Sequence, residues 1–184
     1  MAKVLELLLD RLDTPIGEMV IVADHDGNLR ATIWKEHDER LKPVLEHHYG
    51  KNGFTLELAC NPTGLAEAIG RYFAGELTAI DTLPVESSGT AFQLEVWKAL
   101  REIPCGTTVS YGKLAARLGR PKALRAVGLA NGSNPIGVVV PCHRVIGSDG
   151  SLTGYGGGIE RKRWLLDHES KHAGDSRARQ RALF

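Results

Sequence analysis

Apolar and polar residues alternate through the first 35 positions, and no other feature narrows the possible folds as much. The alternation runs over Val4–Leu12, Glu18–Ala23 and Leu29–Trp34, broken at Thr14-Pro15-Ile16-Gly17 and at Asp26-Gly27-Asn28. A period of two sends one face of each segment into a core, and Asp-Gly between such segments signals a hairpin. The period then changes. His37–Tyr49 sets Leu41, Val44, Leu45 and His48 at helical spacing, and Leu65, Ile69, Tyr72 and Phe73 repeat the pattern ahead of Gly75. Residues 1–85 therefore read as an antiparallel sheet with helices packed on it. A connector at Ile80–Gly89, holding Pro84 and Ser87-Ser88-Gly89, closes this half. Nothing in it gathers reactive side chains.

The second half, residues 86–170, is organised differently. Thr90 and Gln93 form a capping box ahead of a helix whose apolar face is Phe92, Val96, Leu100 and Ile103, ended by Pro104-Cys105-Gly106. Ser110–Gly119 reads as a short helix ending at glycine. Arg120-Pro121 restarts the chain, and Lys122–Asn131 makes a second helix before Gly132. Two short helices about a glycine-containing turn fit the helix-turn-helix plan, with Ala115, Ala116, Ala123 and Ala126 small enough for close crossing. Arg117, Arg120, Lys122 and Arg125 supply phosphate-seeking charge there, although a plain helical hairpin with solvated basic residues has the same pattern. Charge also separates the halves. Residues 1–85 hold 8 Lys/Arg against 14 Asp/Glu, and residues 86–184 hold 15 against 8, under a net charge of +1. A basic half suits a polyanionic partner. The arginine-rich end, residues 171–184, reads as a disordered tail.

Composition excludes several classes. With 42% hydrophobic and 24% charged residues, the 184-residue chain is neither collagen-like nor fully disordered. No apolar run approaches the ~20 residues that span a bilayer, and Glu6 falls where a secretion signal would need apolar residues. Cys60, Cys105 and Cys142 are odd in number and lack paired spacing, so a reducing, cytoplasmic setting is expected rather than a disulfide framework.

The chemistry lies in residues 134–158. Ile136–Val140 reads as a short buried strand that delivers Cys142 between Pro141 and His143-Arg144. A thiol attacks only as thiolate, and imidazole or cationic neighbours supply that character. Cys60 and Cys105 have no such company and read as structural. Gly154-Tyr155-Gly156-Gly157-Gly158 then opens a helix over Ile159–His168; its glycines let backbone amides approach a ligand, but the spacing is not a dinucleotide fingerprint. His168-Glu169-Ser170-Lys171-His172 matches the H-E-x-x-H zinc pattern, yet only Asp175 follows as a third ligand, so solvated helix-end residues are the default reading.

Pro141-Cys142-His143-Arg144-Val145, the preceding Asn134-Pro135 and the Gly154–Gly158 loop resemble the active-site signature of the O6-alkylguanine-DNA alkyltransferases, most closely the bacterial constitutive Ogt type. Thr14–Gly17, Tyr72–Gly75, Phe92–Trp97 and Arg161–Glu169 extend the resemblance over most of the chain. It implies an α+β fold with a ribonuclease-H-like N-terminal half, a monomer, no cofactor and no metal. It also implies a substrate of double-stranded DNA carrying O6-alkylguanine or O4-alkylthymine, with the damaged nucleotide flipped out of the duplex. By the same resemblance Cys142 is the alkyl acceptor, and His143 removes the thiol proton through a water. Glu169 orients His143, Tyr111 donates toward guanine N3, and Asn134 holds the turn before the cysteine. Val145, Tyr155 and Gly156 line the base pocket, and backbone groups of Cys142, Val145 and Gly156 read the base edges. Arg125 fills the vacated stack, while Lys122, Arg117, Arg120 and Arg144 contact DNA. Lys122 and Leu124 depart from the smaller residues common in the family, and Gly156 widens the pocket wall. Two other readings compete: an alkyltransferase-like lesion binder, which would lack the acceptor cysteine, and a helix-turn-helix regulator, which leaves the Cys-His-Arg segment unexplained.

Overall fold

The computed structural model describes residues 4–61 and 63–181, with side chains described through residue 174. Three strands open the chain as the alternation requires: β1 (Leu5–Thr14), β2 (Gly17–Asp24) and β3 (Leu29–Trp34). β1 and β2 pair antiparallel with Leu9 opposite Val22, and β2 and β3 pair antiparallel with a bulge at Val22/Ala23. A 3₁₀ turn over Lys35–Arg40 leads into α1 (Leu41–Tyr49), so the helix begins four residues later than the periodicity suggests. Pro43 lies in its first turn, where a missing N–H costs nothing.

The sheet is mixed, which corrects the antiparallel expectation. β4 (Phe54–Leu58) pairs parallel with β1, Leu7 opposite Leu56, giving the order β3-β2-β1-β4. A parallel partner needs a crossover, and α1 provides it between β3 and β4. Both faces of the sheet are covered. Leu7, Leu9, Val20, Val22 and Ala31 pack with Leu41 and Leu45 of α1. Met19, Ile21 and Ala23 face the larger core, which includes α2 (Leu65–Phe73) and the second half of the chain. Burial on two sides explains why β2 is apolar at consecutive positions instead of alternating.

Beyond the connector, α3 (Ala91–Arg101) starts at the capping box: Thr90 Oγ1 accepts from Gln93 N (3.2 Å) and Gln93 Oε1 from Thr90 N (2.8 Å). β5 (Val109–Ser110) precedes α4 (Tyr111–Arg117), and α5 (Leu124–Gly132) follows across the turn, starting two residues later than expected. β6 (Val145–Ile146) pairs parallel with β5.

A further expectation fails here. Ile136–Val140 is a buried turn and not a strand. Only Ile136 bridges to Thr32 of β3, Val140 N returns to Ile136 O (3.0 Å), and Val138 takes φ +70°, a conformation strained for a β-branched residue. The apolar run reflects burial from all sides, which periodicity cannot distinguish from a strand. The last helix, α6 (Ile159–Arg181), extends into the stretch expected as a disordered tail, and residues 182–184 lie outside the described residues.

Candidate active site

Cys142 heads a single 3₁₀ turn, Cys142–Arg144, directly after the buried turn that Asn134 builds. Asn134 Nδ2 donates to Val140 O (2.8 Å) and Ile136 O (3.4 Å), and its Oδ1 accepts from Ile136 N (3.0 Å). The β5–β6 pairing sets Tyr111, the first residue of α4, against the strand that leaves Arg144. Asn131 of α5 ties the two sides together: its Nδ2 donates to Tyr111 Oη and to Cys142 O, each at 3.4 Å. Tyr111 Oη in turn donates to Thr153 O (3.4 Å).

His143 and Glu169 are fully buried. His143 Nε2 meets Glu169 Oε1 at 2.8 Å, while Nδ1 is buried with no hydrogen-bond partner. The carboxylate holds the proton on Nε2, so Nδ1 carries the free lone pair. Glu169 also accepts from Tyr72 Oη (2.8 Å), Gly106 N (3.1 Å), and Arg144 Nε and Nη2 (2.9 and 2.8 Å). Burial pushes its carboxyl up, but the bonds and charges of His143 and Arg144 prevail and hold it well below the usual carboxylate range. Burial pushes the His143 imidazole down against the pull of Glu169, which keeps it neutral and able to accept a proton at pH 7. Burial pushes the Cys142 thiol up, opposed by the nearby Asn134 side chain and the charge of Lys162. A protonated, buried thiol needs a neighbouring base, and a neutral imidazole is next to it in sequence.

The Gly154–Gly158 loop is fixed from outside. Tyr155 meets the His143 ring edge-on, 6.4 Å between centroids. Gly157 lies so close to Trp34 that a Cβ would sit 2.4 Å from the indole Nε1, so no other residue fits without movement. Arg161 stacks on Trp34 at 4.5 Å, donates to Ile16 O (2.8 Å) and Gly157 O (3.1 Å), and pairs with Glu36. The N-terminal half thus holds the loop in place. Between them lies a cavity of about 430 Å³ lined by Cys142, Asn131, Asn134, Tyr155 and Gly156 on one side and by Trp34 on the other.

Arg117, Arg120, Lys122 and Arg125 are exposed around the turn between α4 and α5, with Arg125 in the first turn of α5. Arg120 is already engaged, paired with Glu95 and lying 5.1 Å over Phe92. Arg144, expected at DNA, is instead 3% exposed and spends its donors on Glu169, Ile103 O (2.6 Å) and Cys105 Sγ (2.7 Å). Buried against Glu169, it is not part of the exposed basic surface, which corrects its expected place among the DNA contacts. The zinc-like motif dissolves on the helix: Glu169 points into this network, while His168 bonds Tyr72 O (2.8 Å) and stacks on Trp164.

Three buried polar residues were not singled out as site residues in the sequence. Lys162 has no exposed surface; its Nζ donates to Val145 O (2.6 Å) and Thr153 O (2.7 Å), fixing strand and loop together. Its spacing from Leu165 and Glu169 marks the same helix face, a signal masked by the neighbouring Arg161 and Arg163. Tyr72 and Asn131 gave no local signal.

Residues 91–171 match the family model described as "6-O-methylguanine DNA methyltransferase, DNA binding domain". A methylated-DNA–protein-cysteine methyltransferase of Shigella flexneri is 54% identical over 165 residues, covering 90% of this chain and 96% of the relative. A crystal structure of Mycobacterium tuberculosis OGT in complex with DNA superposes with a TM-score of 0.75 at 43% identity, covering 90% of this chain and 94% of that one. A crystal structure of the O6-methylguanine-DNA methyltransferase from Pyrococcus kodakaraensis gives 0.65 at 26% identity, covering 89% and 98%. The fold and these likenesses agree, and the chain belongs to the methylated-DNA–protein-cysteine methyltransferases.

Proposed function

We propose that this protein repairs DNA by taking the alkyl group of O6-alkylguanine, and of O4-alkylthymine, onto Cys142, one group per molecule. The observation that carries this reading is the orphaned Nδ1 of His143, a buried lone pair on a ring whose other nitrogen is held by Glu169. The thiol proton passes to that nitrogen through a water, and the sulfur attacks the alkyl carbon in line. The carbon–oxygen bond breaks with its electron pair going to the base, and Tyr111 delivers a proton toward N3 as guanine leaves. Burial pushes the Tyr111 hydroxyl up, so it stays protonated at neutral pH and available to donate. Glu169 stabilises the imidazolium that forms. The product is a thioether at Cys142.

The damaged nucleotide reaches the cavity by flipping, with Tyr155 and Gly156 of its lining around the base, whereas Val145 is fully buried outside that lining. Residues 86–170 form the DNA-binding and acceptor unit, and residues 1–85 brace it. The protein acts as a monomer in the cytoplasm; among the described residues no helix is long and apolar enough to cross a membrane. Incubation with duplex carrying O6-methylguanine, followed by mass spectrometry, tests the assignment. One methyl group localised on Cys142 is expected, and a methyl group on another residue would overturn it.

Arg125 enters the stack where the flipped nucleotide was, while Arg117 and Lys122 contact phosphate. Loss of a phosphate contact weakens binding to every DNA and lowers the salt dependence by about one ion. Loss of an intercalating arm instead slows repair in duplex, where flipping costs a few kcal/mol, and spares repair of the free base. Arg125→Ala is expected to react with duplex about ten-fold or more slowly than wild type, with little change on free O6-methylguanine. Equal defects on both would assign Arg125 to the chemistry or the fold.

A further inference from the structure

The half of the chain that braces the site also reaches into it. Tyr72, in α2, is fully buried, and its Oη donates to Glu169 Oε1 at 2.8 Å. His143 Nε2 and Arg144 Nη2 meet the same oxygen, each at 2.8 Å, while Gly106 N donates to Oε2. Of these donors only Tyr72 belongs to residues 1–85. Burial and the charge of Glu169 push the Tyr72 hydroxyl well above its ordinary range, so it keeps its proton and acts as a donor. The residue is held at its other end too. Its carbonyl accepts from His168 Nε2 at 2.8 Å, and its ring meets the His168 ring edge-on, 5.4 Å between centroids. His168 directly precedes Glu169 on α6, so one residue of α2 fixes both members of the zinc-like pair.

A carboxylate oxygen shared among several donors is a weaker base toward each of them. How hard Glu169 pulls on the Nε2 proton sets how readily the far nitrogen of His143, Nδ1, takes a proton of its own. The phenol of Tyr72 therefore bears on Nδ1 through the carboxylate, at a distance and without touching the ring. Other charged and titratable groups face this pair. Arg144 and Cys105 face Tyr72, and Asp81 acts on Glu169 from the end of a 3₁₀ turn. Lys162 faces His143 from α6, with Tyr155 at the imidazole edge and His168 against the Tyr72 ring. Loss of the Tyr72 hydroxyl alone leaves all of them in place.

We propose that Tyr72 is a positioning residue for the transfer reaction: it fixes the Glu169 carboxylate against His143 Nε2 and limits its pull, so that Nδ1 stays free to receive the thiol proton. This rests on the function proposed above. Without the phenol the carboxylate pulls harder, and the imidazole becomes charged at higher pH than in the intact site.

Transfer rates from free O6-methylguanine, which keeps titration of the DNA interface out of the readout, are measured against pH for wild type, Tyr72→Phe and Tyr72→3-fluorotyrosine. Tyr72→Phe removes only the hydroxyl. Its acid limb should move up by roughly 0.5–1 pH unit, slowing transfer about three- to ten-fold below the limb and little on the alkaline plateau. The fluorinated ring keeps the shape and carries a more acidic hydroxyl, a stronger donor, so its limb should move the other way. It retains every contact, so the comparison stands even where Tyr72→Phe melts early. Phe73→Leu, at a buried apolar neighbour, should lower the melting temperature and leave the limb in place. A limb unmoved in both Tyr72 variants, or a rate lowered equally at every pH, would overturn the role. Wild type that takes a methyl group from neither the free base nor duplex would instead overturn the function on which it rests.

Discussion

Cys142→Ser should take up no alkyl group from O6-methylguanine, as free base or in duplex, while binding duplex DNA as wild type does. A hydroxyl is far less acidic and less nucleophilic than a thiol, and the site offers it no strong base. His143 is neutral and its basicity is pushed down by burial, which suffices for a thiol and not for an alcohol. The substitution changes one atom at a buried position, leaving the exposed basic residues of α4 and α5 untouched. Wild type should stop at one group per molecule, because no group is placed to break a thioether. Mass spectrometry reads both results. The other cysteines are internal controls: Cys105 is held as a thiol by burial, its pKa pushed up to about 12, and Cys60 is exposed at the surface. A modified Cys142→Ser protein, or several turnovers by wild type, would remove Cys142 as the acceptor.

Much of this architecture was legible in the sequence because the relevant physics is local. The strand segments β1 to β3, the Thr90–Gln93 capping box and the helix pair at Ser110–Gly132 depend on neighbours within a few positions, and each is found close to its expected bounds. What depended on distant partners was not legible. β4 is mostly exposed and gains its place from pairing with β1, about fifty residues earlier. Ile136–Val140 has the composition of a buried strand, and only the bonds of Asn134 across it turn it back. Arg144 shows the same effect at the site. Beside Cys142 and His143, an arginine in a DNA-repair signature suggests phosphate, and only a carboxylate 25 residues away reveals it as a buried counter-ion.

That counter-ion leads to the last expectation. Arg144→Met keeps the apolar stem of the side chain but removes the guanidinium and its charge from the buried pair with Glu169. Breaking a buried pair by deleting one partner costs about 3–5 kcal/mol, much of the ~5–15 kcal/mol that holds a typical protein folded. For a chain of this size the melting temperature should fall by roughly 6–20 °C. The chemistry should change as well. Burial chiefly depresses the His143 pKa and the charge of Arg144 depresses it further, against the pull of Glu169. Without Arg144 the unbalanced carboxylate draws a proton onto Nδ1, and the imidazole that must accept the thiol proton is already charged. The acid limb of the transfer-rate profile should therefore move to higher pH, with activity partly regained as the solution is made more alkaline. A variant that melts like wild type, keeps its pH profile and loses one ion from the salt dependence of DNA binding would return Arg144 to the DNA surface.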